Sequence, residues 1–442
     1  MKKIKHLLCL LFLFFLGYQE SQAQDLKTWT LQEMIQYAKD NNIQVKQASL
    51  TNLSNAADYE QAKASRLPTL SVSGQQSLAI GQSIDPVTSD FISQNINATS
   101  LAATSSVTVY NGNYINNNIK QSALIMEAAK LDVEEAKNDI TVAITQAYLQ
   151  ALYYKEGIAT AQETANASKK QLERIQIKLK AGAASPKEVA QLKSDYASDQ
   201  TSLISVQNQY EQQVLALKQL LELGIADDFQ IQNLAVSSDL NLPVESKTEA
   251  YQNALANMPQ IKSSQMNVDI ASYDMKKAKA GYTPTVSLSA SLGSGYTSAQ
   301  DYTYFAQLNN NQNERIGLVV SIPIFNQKKT STEVQKAKLN IESAQLSAVS
   351  EQKDLLKTIE STYQNVVAGK SQTEAAKMAL EAAQESYRLA EKQYELGALD
   401  LTDFITEQTT LQNARNAYLQ AKYTLLMNYQ LLQFYQGNNI TL

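Results

Sequence analysis

The chain contains one cysteine and one histidine, Cys9 and His6, and both lie at its extreme N-terminus. They belong to a segment with a basic start, an apolar run over residues 7–16 and small residues around Ala23. This pattern predicts a signal peptide, residues 1–23, and Cys9 lies inside the apolar run rather than at its end, where a lipidation cysteine would stand. The exported chain would then lack both residue types. That excludes disulfides, thiol nucleophiles, histidine bases and nearly all zinc or copper sites.

Net charge and hydrophobic patterning exclude further classes of protein. The chain has 38 basic and 43 acidic residues, a formal net charge of -5. Loss of a leader with three lysines and one glutamate would make the net charge about -7, so no basic excess points to nucleic acid. Beyond the leader, no apolar run approaches the ~18 residues of a transmembrane helix. No carboxylate pair stands out as an acid–base site, so we predict no catalytic residues, no cofactor, no metal site and no enzyme activity.

Proline and glycine are scarce, with 7 and 14 of 442 residues. The stretches 112–181 and 326–396 contain no proline and one interior glycine each. Each is roughly 70 residues long, which as a helix would measure about 105 Å. Apolar residues recur along both at alternating steps of three and four. This period predicts long helices that pack against their neighbours with left-handed supercoiling.

The chain repeats itself after about 215 residues. The segment Arg66–Ser73 returns as Tyr282–Ser289, and Gly182 returns as Gly397. Each half therefore has the order helix, strand pair, very long helix, glycine turn and helix. The predicted first repeat is 24–222, with helices 31–66, 113–181 and 186–222 and strands 68–80 and 101–112. A linker, 223–247, leads to a second repeat, 248–442, with helices 248–281, 327–396 and 401–436 and strands 284–297 and 314–326.

Capping sequences mark the helix ends. Thr30–Glu33 and Ser185–Glu188 are predicted capping boxes, and Asp400–Asp403 has the same role in the second half. Gly182 and Gly397 stand where the preceding long helices need a left-handed residue. Each long helix therefore turns sharply and runs back. The two shorter helices of each half together nearly equal one long helix in length, which suggests that they stack end to end beside it.

Between the helices the apolar period changes to two. Leu70 and Val72 alternate with Ser71 and Ser73, and three further stretches repeat this pattern, which suits strands that cross a membrane. A soluble sandwich is the alternative, but polar sides made almost entirely of Ser, Thr and Gln favour the membrane. The predicted interfacial girdle consists of aromatic residues at the strand ends: Phe91, Tyr110, Tyr282, Tyr296, Tyr302 and Phe325.

Four strands cannot close a barrel. In lipid, an open edge leaves backbone groups unsatisfied at several kcal/mol each. If the strands enter a membrane, further copies of the chain must pair with the edges. The polar stretches 81–100 and 309–313 are interpreted as loops at the outer end of the strands.

The order of these elements carries a family resemblance. Trp29–Glu33, the strand start Leu67–Leu70 and the glycine turns near 182 and 397 resemble TolC-like outer membrane efflux proteins, over about residues 26–437. No single motif is specific, but their order and duplication together are. The resemblance implies an α+β membrane protein. It would be a homotrimer whose twelve-stranded outer-membrane β-barrel is continued by a long periplasmic α-helical barrel.

In this family the turns after the long helices form periplasmic tips. The resemblance therefore places the adaptor-contact surface at Gly182, Ala183, Ser185, Gly397, Ala398 and Leu399. It places the acids of a periplasmic aperture at Glu188, Asp400, Asp403 and Glu407, where a ring of carboxylates would favour cations.

Two observations weigh against a simple transfer of these roles. Glu188 and Asp403 are also the third residues of capping sequences, so a purely local role is the alternative. The sequence also departs from the family at Leu399, where an arginine can latch the closed tip, and at Thr406, which replaces an aspartate.

The implied function is a passive exit duct in the outer membrane of a Gram-negative bacterium, with a large periplasmic part. It would conduct small molecules such as drugs and toxic compounds from a periplasmic adaptor and an inner-membrane pump to the exterior. Outer-membrane lipid is the remaining partner. One alternative is a duct for type I protein secretion, which the sequence does not separate from drug efflux. The other is a structural or adhesive coiled-coil surface protein, against which the period-two strands argue.

Overall fold

A computed structural model describes residues 28–84, 91–232, 242–244 and 246–440. The predicted leader, residues 1–23, lies outside these ranges. The helices are α1 (Leu31–Asn41), α2 (Ile43–Ala64), α3 (Tyr114–Lys180), α4 (Pro186–Leu220), α5 (Lys247–Asn257), α6 (Pro259–Ala280), α7 (Tyr304–Asn310), α8 (Lys329–Glu395) and α9 (Leu401–Tyr435). The strands are β1 (Thr28–Trp29), β2 (Thr69–Ile84), β3 (Phe91–Tyr110), β4 (Gln230–Ile231), β5 (Thr285–Thr297) and β6 (Asn313–Ser321).

The two very long helices are confirmed. α3 and α8 have 67 residues each and begin and end within two residues of their predicted bounds. At ~1.5 Å per residue, each is about 100 Å long. Within the ranges given above, no helix combines the length and the apolarity that crossing a membrane requires.

Each long helix starts from a pair of left-handed residues. Gly112 and Asn113 have φ of 65° and 64° before α3, and Gln327 and Lys328 have φ of 54° and 64° before α8. Residues other than glycine disfavour this conformation. Its occurrence at both equivalent positions therefore shows that the joint before each long helix requires a left-handed backbone. The joint connects the sheet to the long helices within a few residues.

The shorter helices differ from the prediction. The predicted helices 31–66 and 248–281 are each two helices, so the expectation of one continuous helix is wrong in both repeats. α1 ends at Asn41, and the next residue, Asn42, leaves the helical conformation with φ of -60° and ψ of 137° while its side chain caps α2. α5 ends at Asn257, because Met258 precedes Pro259 and a residue before a proline is driven out of the helical conformation.

The helices α2 and α4 meet end to end beside α3, as their lengths suggested. The Asn42 Nδ2 donates to the carbonyl of Leu220 at 3.0 Å. The Glu222 carboxylate accepts the first amide of α2 at 3.2 Å. In the second repeat, the Asn257 Nδ2 donates to the carbonyl of Gln436 at 3.1 Å. Helix ends that would otherwise need capping by water thus satisfy each other.

We expect Asn42→Ala to destabilise the protein by about 1–2 kcal/mol, because it removes an N-cap and the donor to the Leu220 carbonyl. Asn42 is 5% exposed, so water does not easily replace it. Urea unfolding of the detergent-purified protein, followed by circular dichroism, measures the loss. Asn41→Ala is the matched control, since the Asn41 side chain donates to a carbonyl of its own helix. Equal losses in both variants would contradict a role for the junction.

One antiparallel sheet has the strand order β2-β3-β5-β6. The β2–β3 hairpin is longer than predicted, and the described part of 81–100 is strand rather than loop, so that prediction is wrong. The stretch 309–313 holds the end of α7 and the start of β6 instead of a simple loop. β6 ends at Ser321 rather than at 326, since Pro323 has no amide to donate to a ladder.

Two lysines at equivalent positions of the repeats hold the linker 223–247. The Lys155 Nζ on α3 donates to the Ile231 carbonyl at 3.3 Å, and the Lys370 Nζ on α8 donates to the Leu242 carbonyl. Burial lowers the pKa of Lys155. The strand β4 in the linker pairs in parallel with β1. The described parts of the linker at Ile231 and Leu242 are therefore held against the middle of the two long helices.

The buried core lies at this middle level and at the far ends of the long helices. The largest cluster surrounds Ile144, Tyr148 and Leu149 of α3 and includes Trp29 and Ile231. A second cluster lies at the middle of α8, and a third lies where the long helices end. None of these clusters contains a residue of the four-stranded sheet. Among the described residues, the apolar side chains of the sheet thus lie outside the buried core.

Candidate functional site

The four-stranded sheet exposes an apolar face, on which Glu314, the partner of Leu292, is the charged residue at the outer end of β6. Val72 pairs with Ala103, which pairs with Leu292, and Leu288 pairs with Leu318, so the apolar stripes of all four strands point the same way. Val72 is 79% exposed and Leu318 is 64% exposed. Proteins that stay monomeric in water rarely expose a contiguous apolar face of this size. The apolar face comprises Leu70 and Val72 of β2, Leu101 and Val107 of β3, Leu288 and Leu292 of β5, and Ile316, Leu318 and Val320 of β6. Leu78 and Ile80 of β2 follow on the same side but lie beyond Gln76, the partner of Thr99, and so outside the level of Tyr296.

The opposite face carries mostly small polar side chains. Ser71 Oγ and Thr104 Oγ1 lie 2.9 Å apart across β2 and β3, and Thr69 Oγ1 and Ser106 Oγ lie 3.0 Å apart. Ser287 and its neighbours continue this face along β5. The predicted alternation of apolar and polar sides is confirmed. Such a division is typical of strands with lipid on one side and water on the other.

Aromatic residues lie near both ends of the apolar face. At the end joined to the helices, Tyr110 pairs with Val286, and Tyr282 and Phe325 are 57% and 83% exposed. At the outer end, Tyr296 is the second-to-last residue of β5.

Phe91 lies at a different level from the other outer aromatic residues. It is eight residues along β3 from Thr99, the partner of Tyr296. At ~3.4 Å per residue this separation is about 27 Å. Tyr302 is close to Tyr296 in sequence and is 66% exposed. One outer girdle can therefore contain Tyr296 and Tyr302 but not Phe91.

Both long helices end in the same hydrogen-bonded turn. Gly182 and Gly397 are left-handed, with φ of 75° and 76°. The amides of Ala183 and Ala398 each donate to the carbonyl five residues back, at 2.8 Å, which is the Schellman arrangement. The predicted glycine turns are confirmed. Of the six predicted contact residues, Leu399 is half-buried and the others are exposed: Gly182, Ala183, Ser185, Gly397 and Ala398.

The four acids predicted near the tips have different local partners. The Glu188 carboxylate accepts the Ser185 amide at 2.6 Å, which completes a capping box and holds the pKa of Glu188 below its usual value. Asp400 caps α9 by accepting the Asp403 amide at 2.9 Å. Glu407 accepts a hydrogen bond from a serine of α8 at 2.6 Å. Within the described chain, no hydrogen bond or ion pair engages the Asp403 carboxylate. The capping explanation thus holds for Glu188 and not for Asp403.

An apolar cluster joins the two helical hairpins, α3–α4 and α8–α9, at their tips. Ile175, Leu192 and Leu401 bury one another there. Phe404 is 1% exposed and stacks on Tyr394, with ring centroids 4.6 Å apart. The tips of the two hairpins are therefore packed together within one protomer.

A groove of about 390 Å³ lies between the hairpins above this cluster. Arg174 and Glu395 form an ion pair across it, with the nitrogen and oxygen 2.8 Å apart. The Lys178 ammonium lies 5.6 Å from the centre of the Tyr394 ring. Exposed ion pairs of this kind contribute only about 0–1 kcal/mol, so they orient the hairpins more than they stabilise them.

A buried polar contact links three helices farther from the tips. The Ser168 hydroxyl donates to the Asp199 carboxylate and accepts from the Gln408 Nε2 at 3.2 Å. Ser168 is 1% exposed. Hydrogen bonds in such a setting are strong because water does not compete. The hairpins thus meet through polar groups here and through apolar groups at the tips.

Sequence reasoning missed these contacts between the hairpins. Arg174 and Glu395 are 221 residues apart, and no local pattern relates them. One signal was available: the chain has five arginines, and two of them, Arg174 and Arg415, lie on the facing sides of the hairpins. Arginine suits ion pairs between elements better than lysine does, because its donors form a rigid fork.

A sheet with one apolar face exposed, joined to helical hairpins about 100 Å long, has the architecture of an outer-membrane channel subunit. The chain belongs to the outer membrane efflux protein family, whose model matches residues 34–222 and 250–438, once in each repeat. The family resemblance of the sequence is thereby confirmed. The family and its structural neighbours are channels rather than enzymes. The protein is accordingly an outer-membrane protein with a large periplasmic helical part.

Solved structures with the same fold include outer-membrane channels of two bacteria. CmeC of Campylobacter jejuni aligns with a TM-score of 0.79 and 19% identity over 93% of this chain and 87% of that chain. VceC of Vibrio cholerae aligns with a TM-score of 0.76 and 16% identity over 93% of this chain and 97% of that chain. At these identities, the likeness establishes the fold alone.

Two curated relatives match shorter segments. The pyoverdine export outer membrane protein OpmQ of Pseudomonas putida is 24% identical over 217 residues, 49% of this chain and 44% of that protein. The outer membrane efflux protein BepC of Brucella suis is 30% identical over 102 residues, 23% of this chain and 21% of that protein. The chain therefore spans less than half the length of the curated relatives it matches.

Proposed function

We propose that the protein is the outer-membrane exit duct of a tripartite export system. It passively conducts small molecules that a periplasmic adaptor and an inner-membrane pump deliver. The sheet carries this proposal, because it combines an apolar face, a polar face and two unpaired edges. The relative OpmQ is named for pyoverdine export, which supports a small-molecule cargo.

The height of the apolar face fits a membrane. From Val286, the partner of Tyr110, to Tyr296, β5 advances ten residues, about 34 Å at ~3.4 Å per residue. With the ~40° tilt of strands in outer-membrane barrels, this distance becomes about 26 Å of height, close to the ~25 Å apolar band of such barrels. The aromatic residues at the two ends would then lie at the two interfaces, with the Ser- and Thr-rich face toward water.

The edges of the sheet require further copies. In the described chain, β2 and β6 each have one edge without a partner strand. Lipid offers these backbone groups no hydrogen bonds, so an open edge does not persist there. Pairing β6 of one copy with β2 of the next closes a barrel, and three copies give the twelve strands that the family resemblance implies. The functional unit is therefore a homotrimer.

The helices extend this tube into the periplasm. Side chains on α8 such as Leu346 and Met378 are 71% and 60% exposed, and Leu50 of α2 is 64% exposed. Neighbouring copies cover these side chains in the trimer. The tube reaches about 100 Å from the membrane. Its exposed turns at Gly182 and Gly397 then face the adaptor.

We assign the negative charge at the periplasmic entrance of the duct to the Asp403 carboxylate. Because no bond from the described residues engages its carboxylate, three copies of Asp403 are available to form a ring of negative charge. We expect Asp403→Asn to reduce cation selectivity, measured as a smaller reversal potential across planar bilayers in a salt gradient. Glu188→Gln is the matched control and should change the reversal potential less, because the Glu188 carboxylate, although ionised, is drawn back to the Ser185 amide and away from the entrance. A larger effect of the Glu188 variant would reverse the assignment.

The proposed function is tested by extraction of the protein from outer membranes in detergent. We expect a complex with three times the mass of the chain that conducts ions in planar bilayers. A soluble monomer without conductance would overturn the proposal. Crosslinking in cells from a cysteine placed at Ala183 or Ala398 identifies the adaptor and its pump. Capture of a protein-secretion exporter would replace small-molecule efflux by type I secretion.

A further inference from the structure

The helix α7 lies beside the outer end of β5, where β5 has lost one neighbour. β6 pairs with β5 only as far as Gly293, whereas β3 pairs with it as far as Thr297. Side chains replace the missing strand. Gln307 accepts the Thr297 amide at 2.9 Å and donates to the Thr297 carbonyl at 3.0 Å, and Asn311 donates to the Gly295 carbonyl at 2.9 Å. α7 thus covers an edge that would otherwise be open.

These bonds fix which side of α7 faces outward. Gln307 is 1% exposed, and its Nε2 also donates to the carbonyls of Gln300 and Tyr302. Phe305 precedes Gln307 by two residues, which places it about 200° around a helix of 3.6 residues per turn. It is 81% exposed. The side of α7 opposite its anchor is therefore uncovered and carries the Phe305 ring, with Asn309 beside it.

The outward side of α7 is continuous with the apolar face of the sheet. Tyr296 lies on that face, because it is four residues after Leu292 on β5 and side chains two or four residues apart on a strand point to the same side. The Tyr296 ring is 4.8 Å from the Tyr304 ring, which is 5.5 Å from the Phe305 ring, centroid to centroid. Tyr302 adds a further exposed ring. The segment 302–312 contains no charged side chain. Aromatic and uncharged segments of this kind favour the boundary between acyl chains and headgroups.

We propose that α7 is an interfacial anchor that inserts Phe305 into the outer leaflet of the membrane, beside the barrel. The proposal rests on the proposed function, since it requires lipid against the apolar face. Lipid that covers Leu292 also contacts Tyr296, and the rings of Tyr304 and Phe305 continue the same surface. A charged partner would find no complementary charge on this segment. The anchor fixes the outer rim of the second repeat to the membrane surface, while the edge bonds of Gln307 hold it to β5.

The test uses single cysteines labelled with an environment-sensitive fluorophore. Cys9 is the only native cysteine and lies in the predicted signal peptide, so the exported protein gives a cysteine-free background, and Cys9→Ser ensures it if any leader is retained. The variants are Phe305→Cys, Ile316→Cys on the apolar face, and Asn310→Cys, which is exposed on another side of α7. The full chain is reconstituted in phosphatidylcholine vesicles. Quenching is measured with a nitroxide lipid labelled near the headgroup and with aqueous iodide.

We expect the nitroxide lipid to quench the labels at 305 and 316 several-fold more than the label at 310, and iodide to show the reverse order. If the label at 316 is quenched by lipid but the label at 305 follows 310, the anchor is overturned while the membrane sheet stands. If the label at 316 is quenched by iodide instead, the apolar face is not in lipid, and both proposals fail. Two substitutions of Phe305 are then compared with a label at Tyr302→Cys. With Phe305→Tyr, the protein should reconstitute stably and the nitroxide lipid should still quench the label. With Phe305→Asp, quenching by the lipid should be lost.

Discussion

The Leu318→Arg variant is expected to fail to assemble in the outer membrane. Leu318 lies on the apolar face, pairs with Leu288, two residues along β5 from Val286, and is 64% exposed. An arginine on the lipid side of a barrel costs about 2–4 kcal/mol at the midplane of the bilayer and less toward the interfaces, and the cost recurs in each copy of a trimer. The amount of protein in the outer-membrane fraction, and the mass of the complex extracted from it, measure the effect.

The neighbouring residue provides the matched control. Val319 points to the polar face and pairs with Ser287. We expect Val319→Arg to assemble in near-normal amounts, because its guanidinium enters the water-filled interior of the barrel. Equal losses in both variants would mean that neither face contacts lipid. Normal assembly of Leu318→Arg with failure of Val319→Arg would mean that the faces are reversed.

Gly112→Ala is expected to be the most destabilising small substitution at the joint between the sheet and the long helices. Gly112 is left-handed, and a Cβ there would overlap Thr283 Oγ1 and lie 3.1 Å from the Cα of Ala280. The left-handed conformation costs a residue with a side chain about 1–2 kcal/mol, and the added atom in a packed site costs about 1–3 kcal/mol. We expect a total loss of about 2–5 kcal/mol. A lowered midpoint of thermal unfolding, followed by circular dichroism in detergent, measures it.

The repeat supplies the control for this prediction. Gln327 is the equivalent residue before α8, has φ of 54° and already carries a side chain. Gln327→Ala should therefore change stability by less than about 0.5 kcal/mol. Thr283→Ala in the Gly112→Ala background should restore part of the loss, since it removes the nearest atom. If Gly112→Ala unfolds at the temperature of the native chain, the close approach at the joint has no energetic consequence.

The helical part of the fold could be predicted because its signals are local. The lack of proline, the capping boxes and the glycine turns determine where α3, α4, α8 and α9 begin and end. The outer half of the β2–β3 hairpin could not be predicted in the same way. Alternation marks a strand only where the apolar positions are unbroken, and in the stretch 92–100 Gln94 interrupts the apolar positions Ile92, Ile96 and Ala98. The ladder of this stretch forms through the backbone, whose hydrogen bonds leave no mark in the sequence.

At the tips, the sequence predicted the turns but not the different states of the acids. Glu188 and Asp403 occupy the same position relative to the helix start. The longer glutamate side chain reaches back to the Ser185 amide, as Glu33 and Glu249 do at their own caps. Asp403 is one methylene shorter and makes no such bond within the described chain. The pattern of residues is the same, and the reach of the side chain decides which carboxylate remains available.

The two repeats differ most above Tyr296. In the first repeat, β2 and β3 continue as a two-stranded ribbon for about 27 Å, while the second repeat closes at once with α7. In the proposed trimer, the wall therefore has nearly sixfold order within the lipid and threefold order at the mouth. Three tall ribbons alternate there with three low helices. Molecules approaching the cell meet the ribbons first. Insertions and substitutions in the ribbons are consequently free of the constraints that lipid and helix packing place on the rest of the chain.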